Sequence, residues 1–170
     1  MPETLGDDNP DALPSPLRAS CVWWTLRAVL RLLLTIMLGY RARGVKRVAA
    51  QGGGLVLINH QSNFDPMLVG LPLARPISYM ARDSLFPLPV IGWILKRTYV
   101  VPISREAAGS ESIRELIRRI EHGFLVGVFP EGTRTHDGRM GEFKPGFLAV
   151  ARRARMPLYP VGIAGAYKAW

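Results

Sequence analysis

Cysteine occurs once in this chain, at Cys21, so no intrachain disulfide is available and an oxidising compartment is not required. One thiol and three scattered histidines (His60, His122, His136) also argue against a zinc site. Acidic residues are scarce, 13 against 22 Lys and Arg, and none occurs from Ala12 to Phe64. The formal charge of +9 and isoelectric point near 10.4 call for a polyanionic partner: nucleic acid, an anionic membrane or a phosphorylated substrate. No G-x-S-x-G elbow surrounds Ser62, which leaves a serine hydrolase poorly supported. No phosphate-loop or dinucleotide glycine pattern appears, and there is no internal repeat.

What the chain has in quantity is apolar side chains. Hydrophobic residues make up 48% of the 170, a length that fits one domain, and mean hydropathy is +0.12. Residues 1–16 hold four prolines among acids and small residues and read as a disordered leader, not as the basic start of a secretory signal.

Residues 17–43 are expected to form an amphipathic, membrane-associating helix. The apolar run is long enough to span a bilayer. However, Arg27 and Arg31 fall near its middle, each costing about 2.5–3.5 kcal/mol there. Nine Leu, Ile and Val residues return only about 3–5 kcal/mol in total on the same scale, so spanning is disfavoured. On a helical wheel Ser20, Arg27 and Arg31 share one narrow stripe bordered by Trp23 and Trp24. That pattern suits a helix lying in the interface with its arginines toward headgroups. Arg41, Arg43, Lys46 and Arg47 follow and favour anionic lipid. The competing reading is a packed core helix.

After Gly52-Gly53-Gly54, Leu55–Ile58 reads as a short buried strand. Asn59 and His60 follow it, then Asp65 as helix N-cap and Pro66 as first helical residue, with the helix continuing over Met67–Leu73. Five residues separate His60 from Asp65, which puts them on neither one helical face nor one strand face. They meet only if the loop doubles back. If it does, the carboxylate accepts from Nδ1 and leaves Nε2 as a base.

Further strands are expected at Ile77–Ala81, Thr98–Ile103, Phe124–Phe129 and Leu158–Ile163, and helices at Ser110–His122 and Phe147–Arg155. Ser84–Leu95, broken by Pro87, Pro89 and Gly92, reads as neither helix nor strand, and as lipid-dipping, groove-lining or core. Strands alternating with helices imply an α/β layered fold. Its strand ends present Asn59, His60 and Asp65, then Arg105, then Glu131, Gly132, Thr133 and Arg134, with Lys144 nearby. A base among cations suits proton abstraction from a hydroxyl on a phosphorylated substrate. Glu131 could instead pair with Arg134 and hold the turn, and Asn59 and Ser62 are turn-shaping side chains.

These segments, in order and spacing, resemble the glycerolipid acyltransferase family that includes lysophosphatidate acyltransferases. His60 with Asp65 resembles the family's His-x-x-x-x-Asp motif, and Arg105, closing VVPISR, its second motif. Phe129-Pro130-Glu131-Gly132-Thr133-Arg134 resembles the third letter for letter, and Pro157-Leu158-Tyr159-Pro160-Val161 the fourth. Tyr99 departs from the pattern, where the second motif often has glycine.

The resemblance implies an α/β fold with a central mixed sheet flanked by helices, and an acyltransferase catalytic domain over residues 44–170, abbreviated at its C-terminal end. It implies an enzyme acting in phospholipid biosynthesis. His60 would be the base and Asp65 its orienting partner. Arg105 and Arg134 would clamp the acceptor phosphate. Glu131 would order the loop or bind a glycerol hydroxyl, Gly132 would allow close approach, Thr133 would serve the loop or the ligand, and Lys144 would add charge. No cofactor or metal is expected. Acyl-CoA or acyl-carrier protein would be co-substrate, and the acceptor would be lysophosphatidate, another lysophospholipid or glycerol 3-phosphate. The partners are membrane phospholipid and lysophospholipid, not nucleic acid, at the cytoplasmic face of a membrane. From another class, a non-catalytic basic membrane-binding module would explain the charge and the tryptophans but not the motifs.

Overall fold

The computed structural model describes residues 13, 15–17, 19–103 and 110–169. The remaining positions, most of the leader and Arg105 among them, lie outside the described residues. β1 (Gly54–Ile58) is the centre of a four-stranded sheet. It is flanked by β5 (Leu125–Val128) and β6 (Leu158–Val161), and β2 (Ile77–Ser78) lies beyond β5. Leu55 pairs with Val126 on one side and Leu158 on the other.

The expected α/β layering is present, but every described strand pair is parallel, so the sheet is not mixed. The reason is connectivity: a parallel pair needs a long crossover, and helical segments supply it here. Such a sheet is covered on both faces, which explains the unbroken apolar run of β1. Leu55 and Val126 pack with Leu116 and Ile120 of α4 (Ser110–Glu121) and Val150 of α5 (Gly146–Ala154). Val56, Ile58 and Leu125 pack on the opposite face with Val69 of α2 (Asp65–Gly70) and with Leu73, Ile77 and Tyr79.

Two segments differ from expectation. The strand expected over Ile77–Ala81 divides at Tyr79: β2 joins the main sheet, while β3 (Met80–Arg82) pairs with β4 (Val101–Ile103). The broken apolar stretch contains α3 (Pro89–Arg97). Pro89 occupies the first helical position, where its missing N–H has no partner to lose, so it starts the helix instead of breaking it. Val90, Ile91 and Trp93 are exposed, which removes the core reading for them. Thr98 ends this helix, and Tyr99 takes φ +65°, the left-handed conformation that glycine adopts without strain.

α1 (Cys21–Leu38) lies within the 17–43 segment expected to be helical and is shorter at both ends. Ser20 caps its N-terminus by accepting from Trp23 N, and Gly39 closes it at φ +61°. The polar stripe divides: Arg31 is exposed as expected, whereas Ser20 and Arg27 turn to the domain. Arg27 Nε donates to Leu71 O at 2.8 Å, Ser20 N donates to the Tyr99 hydroxyl at 3.2 Å, and Trp23 is buried. Leu71 follows the end of α2, where unpaired helix carbonyls attract a cation, and that draws Arg27 inward. Leu32, Ile36 and Met37 face solvent, Met37 at 74% exposure.

Candidate active site

The site forms at the C-terminal end of β1. Asn59 Nδ2 donates to Ile163 O at 2.9 Å, and its Oδ1 accepts from Ile163 N at 2.6 Å, which pins the exit of β1 to the exit of β6. The chain then doubles back. Asp65 Oδ2 gathers three donors: His60 Nδ1 at 2.8 Å, Gln61 N at 2.5 Å and Ser62 N at 2.8 Å. Phe64, not Asp65, is the N-cap position, and the Asp65 side chain reaches back into the loop instead of capping the helix ahead. Asp65 is wholly buried, while the His60 side chain keeps 19% exposure. A carboxylate oxygen only accepts, so Nδ1 carries the proton and Nε2 is left with its lone pair.

The strand-end turn after β5 grips His60 from the other side. Glu131 Oε1 accepts from His60 N at 2.9 Å, and Thr135 N donates to His60 O at 2.9 Å. Glu131 Oε2 accepts from Gly141 N at 2.8 Å. With both oxygens engaged and only 3% exposure, Glu131 orders the loop around His60. It does not pair with Arg134. Phe129 stacks on the His60 ring with centroids 4.0 Å apart and 22° between planes. The imidazole is thus held at Nδ1, at both backbone groups and on one face.

Gly132 sits at φ +69°, and a Cβ there would lie 3.0 Å from Lys144 Cδ, so the turn and the lysine stem need a glycine. Lys144 N donates to Pro130 O at 2.8 Å, which fixes the lysine beside the turn. Thr133, Arg134 and Lys144 are exposed, and Thr133 and Arg134 make no side-chain hydrogen bond or ion pair among the described residues. Arg134 immediately precedes Thr135, the residue bonded to His60. Arg105 lies outside the described residues. Ser62 is buried, its Oγ accepting from Phe64 N at 3.2 Å, in keeping with a turn-shaping role.

The structure therefore brings together His60, Asp65 and Glu131 and sets Gly132, Thr133, Arg134 and Lys144 on the adjoining loop. Sequence reasoning gave no role to Phe129, Gln61 or Gly141. For Gln61 and Gly141 no sequence signal exists, because they act through backbone N–H groups. A groove of about 1040 Å³ adjoins the loop at Ser62 and Phe64; it runs between the end of α1, α2 and residues 158–168. Leu34, Leu38, Leu68, Val69 and Leu73 line it, together with Arg41, Arg43 and Arg47.

The chain is similar in sequence and fold to proteins of known class. Residues 40–164 match the family described as Acyltransferase. A 1-acyl-sn-glycerol-3-phosphate acyltransferase of Bacillus subtilis is 31% identical over 137 residues, covering 80% of this chain and 68% of that one. The chloroplastic enzyme BAT2 of Brassica napus is 34% identical over 112 residues, 65% of this chain and 32% of that one. The crystal structure of the 1-acyl-sn-glycerophosphate acyltransferase PlsC from Thermotoga maritima superposes with a TM-score of 0.73 at 26% identity. That superposition covers 85% of this chain and 58% of PlsC. The chain thus spans about a third of the plant relative and under two-thirds of the solved one. By the span of the family match and the likeness to the Bacillus enzyme, the chain belongs to the acyltransferase family.

Proposed function

We propose that this protein moves a fatty acyl group from acyl-CoA or acyl-carrier protein to the free hydroxyl of lysophosphatidate, giving phosphatidate for phospholipid synthesis. The observation that carries the reading is the 2.8 Å contact of His60 Nδ1 with buried Asp65, which leaves Nε2 free at an accessible edge. Nε2 takes the acceptor's hydroxyl proton as that oxygen attacks the thioester carbonyl. The tetrahedral intermediate then collapses, the C–S bond breaks, and the imidazolium returns the proton to the leaving thiolate. Asp65 steadies the imidazolium without itself becoming protonated. Arg134 and Lys144 suit a phosphate, Arg134 through its bidentate fork, and Arg105 is assigned to the same clamp by its motif alone. The apolar groove beside Phe64 suits an acyl chain, and its arginines suit an anionic headgroup or a coenzyme phosphate.

The lysophosphatidate assignment rests on the similarity to 1-acyl-sn-glycerol-3-phosphate acyltransferases. Membrane association rests on α1, and the cytoplasmic face belongs to the proposal alone. Its length and composition would allow it to cross a bilayer, but the middle of the helix is bonded to the folded domain through Arg27 and Leu71. A helix so held lies along an interface with Leu32, Ile36 and Met37 toward lipid.

The test follows thiol release from acyl-CoA by the full chain, with and without lysophosphatidate. Release should depend on the acceptor, and His60→Ala should lower turnover by about 100-fold or more. Near-normal turnover in a folded His60→Ala protein, or release indifferent to lysophosphatidate, overturns the reading.

A further inference from the structure

Tyr79 stands where the chain passes from the main sheet to the small one, and nothing derived above uses it. Its ring lies across Gly127 in the middle of β5: a Cβ at Gly127 would fall 2.2 Å from Tyr79 Cε1. Glycine inside a strand is unfavourable, so this one marks a seat kept open for the ring. The ring lies nearly parallel to Phe129, centroids 6.3 Å apart, and Phe129 in turn stacks on His60. The Tyr79 hydroxyl is buried and has no hydrogen-bond partner. Asp65 Oδ1, the oxygen not used by His60, is buried and partnerless as well. Buried tyrosine hydroxyls normally find an acceptor, and leaving one without costs about 1–3 kcal/mol. Here a donor lacking an acceptor and an acceptor lacking a donor belong to the same site.

The neighbouring candidates are already committed. The Tyr40 hydroxyl donates to Leu68 O at 2.6 Å, and Glu131 serves His60 N and Gly141 N. Burial raises the Tyr79 pKa, and the Asp65 carboxylate is the next cause in size, followed by Tyr40, so the hydroxyl lies within the field of Asp65.

We infer that Tyr79 is a positioning residue for the His60–Asp65 pair, its hydroxyl serving Asp65 Oδ1 so that Oδ2 stays directed at the imidazole. The two groups do not bond directly in this structure; one ordered water is required as the bridge between them. The inference rests on the proposed acyl transfer only for its kinetic consequence.

Tyr79→Phe removes the hydroxyl alone. The expected result is a fall in kcat of about tenfold with KM unchanged. The resonance of the His60 Nδ1 proton should also move by NMR, and that change should vanish in an Asp65→Asn background. A merely structural orphan predicts the opposite: its removal relieves a buried donor, raises Tm and leaves kcat alone. That outcome, or an unmoved His60 resonance whatever kcat does, overturns the inference. The resonance is readable without turnover, so a chain showing no acyl transfer would defeat the functional proposal while leaving this one testable.

Discussion

Two buried carboxylates divide the work of holding one histidine. Asp65 fixes the ring through Oδ2, and Glu131 fixes the backbone through Oε1 while Oε2 holds the loop at Gly141. Glu131→Gln keeps the shape but turns one of those acceptors into an amide N–H facing a backbone N–H. It should destabilise the fold by about 1–3 kcal/mol, measured by denaturant unfolding, and lower kcat more than it raises KM. Tyr79 gives a second expectation at this scale. Burial and Asp65 raise its pKa above the ordinary value near 10. Below pH 10 folded and unfolded chains both keep the phenolic proton, so its contribution to stability is flat. Above pH 10 the unfolded chain releases that proton while the folded one retains it, and stability falls by about 1.4 kcal/mol per unit. Tyr79→Phe should lack that part of the alkaline loss in unfolding curves taken from pH 9 to 11. The His60–Asp65 pairing was conditionally legible in the sequence, since the spacing demanded a loop that doubles back. What closes that loop was not: the donors at Gln61 and Ser62 are main-chain N–H groups, which any residue but proline would supply.

Among the elements, those with a clear period were readable and those with punctuation were misread. α4 carries Ile113, Leu116, Ile117 and Ile120 at helical spacing and forms over Ser110–Glu121 as expected, stopped by Gly123 at φ +103°. α3 was missed because Pro89 disrupts a helix interior yet suits a helix start, and composition does not distinguish the two positions. α1 shows a different limit. Its wheel grouped Ser20, Arg27 and Arg31, but which of them meet the protein depends on acceptors elsewhere: Leu71 O takes Arg27, the Tyr99 hydroxyl takes Ser20 N, and Arg31 stays exposed. The outward apolar face makes Ile36→Asp the informative substitution: sedimentation with anionic vesicles should weaken about tenfold or more while the fold is kept. Tyr99→Phe should loosen α1 from the domain by about 0.5–1.5 kcal/mol, seen as faster amide exchange along the helix. Tyr99 takes a left-handed backbone that favours glycine, and its side chain holds the start of α1.

Across the whole molecule, the excess of cations and the outward face of α1 act together. Association with anionic vesicles should weaken steeply from about 0.05 to 0.5 M salt, whereas association with neutral vesicles should be weaker and nearly indifferent to salt. Equal affinity for both lipids would assign binding to the apolar face alone. The sequence by itself determined the α/β class, the cationic character and which residues stand near the strand ends, because these depend on local period, composition and motif order. Tertiary structure decided that all the described strands run parallel, that Arg27 of α1 turns to the domain while Arg31 stays exposed, and that Glu131 braces His60. Each of those outcomes turns on a partner far away in the chain, and local pattern holds no record of a distant acceptor.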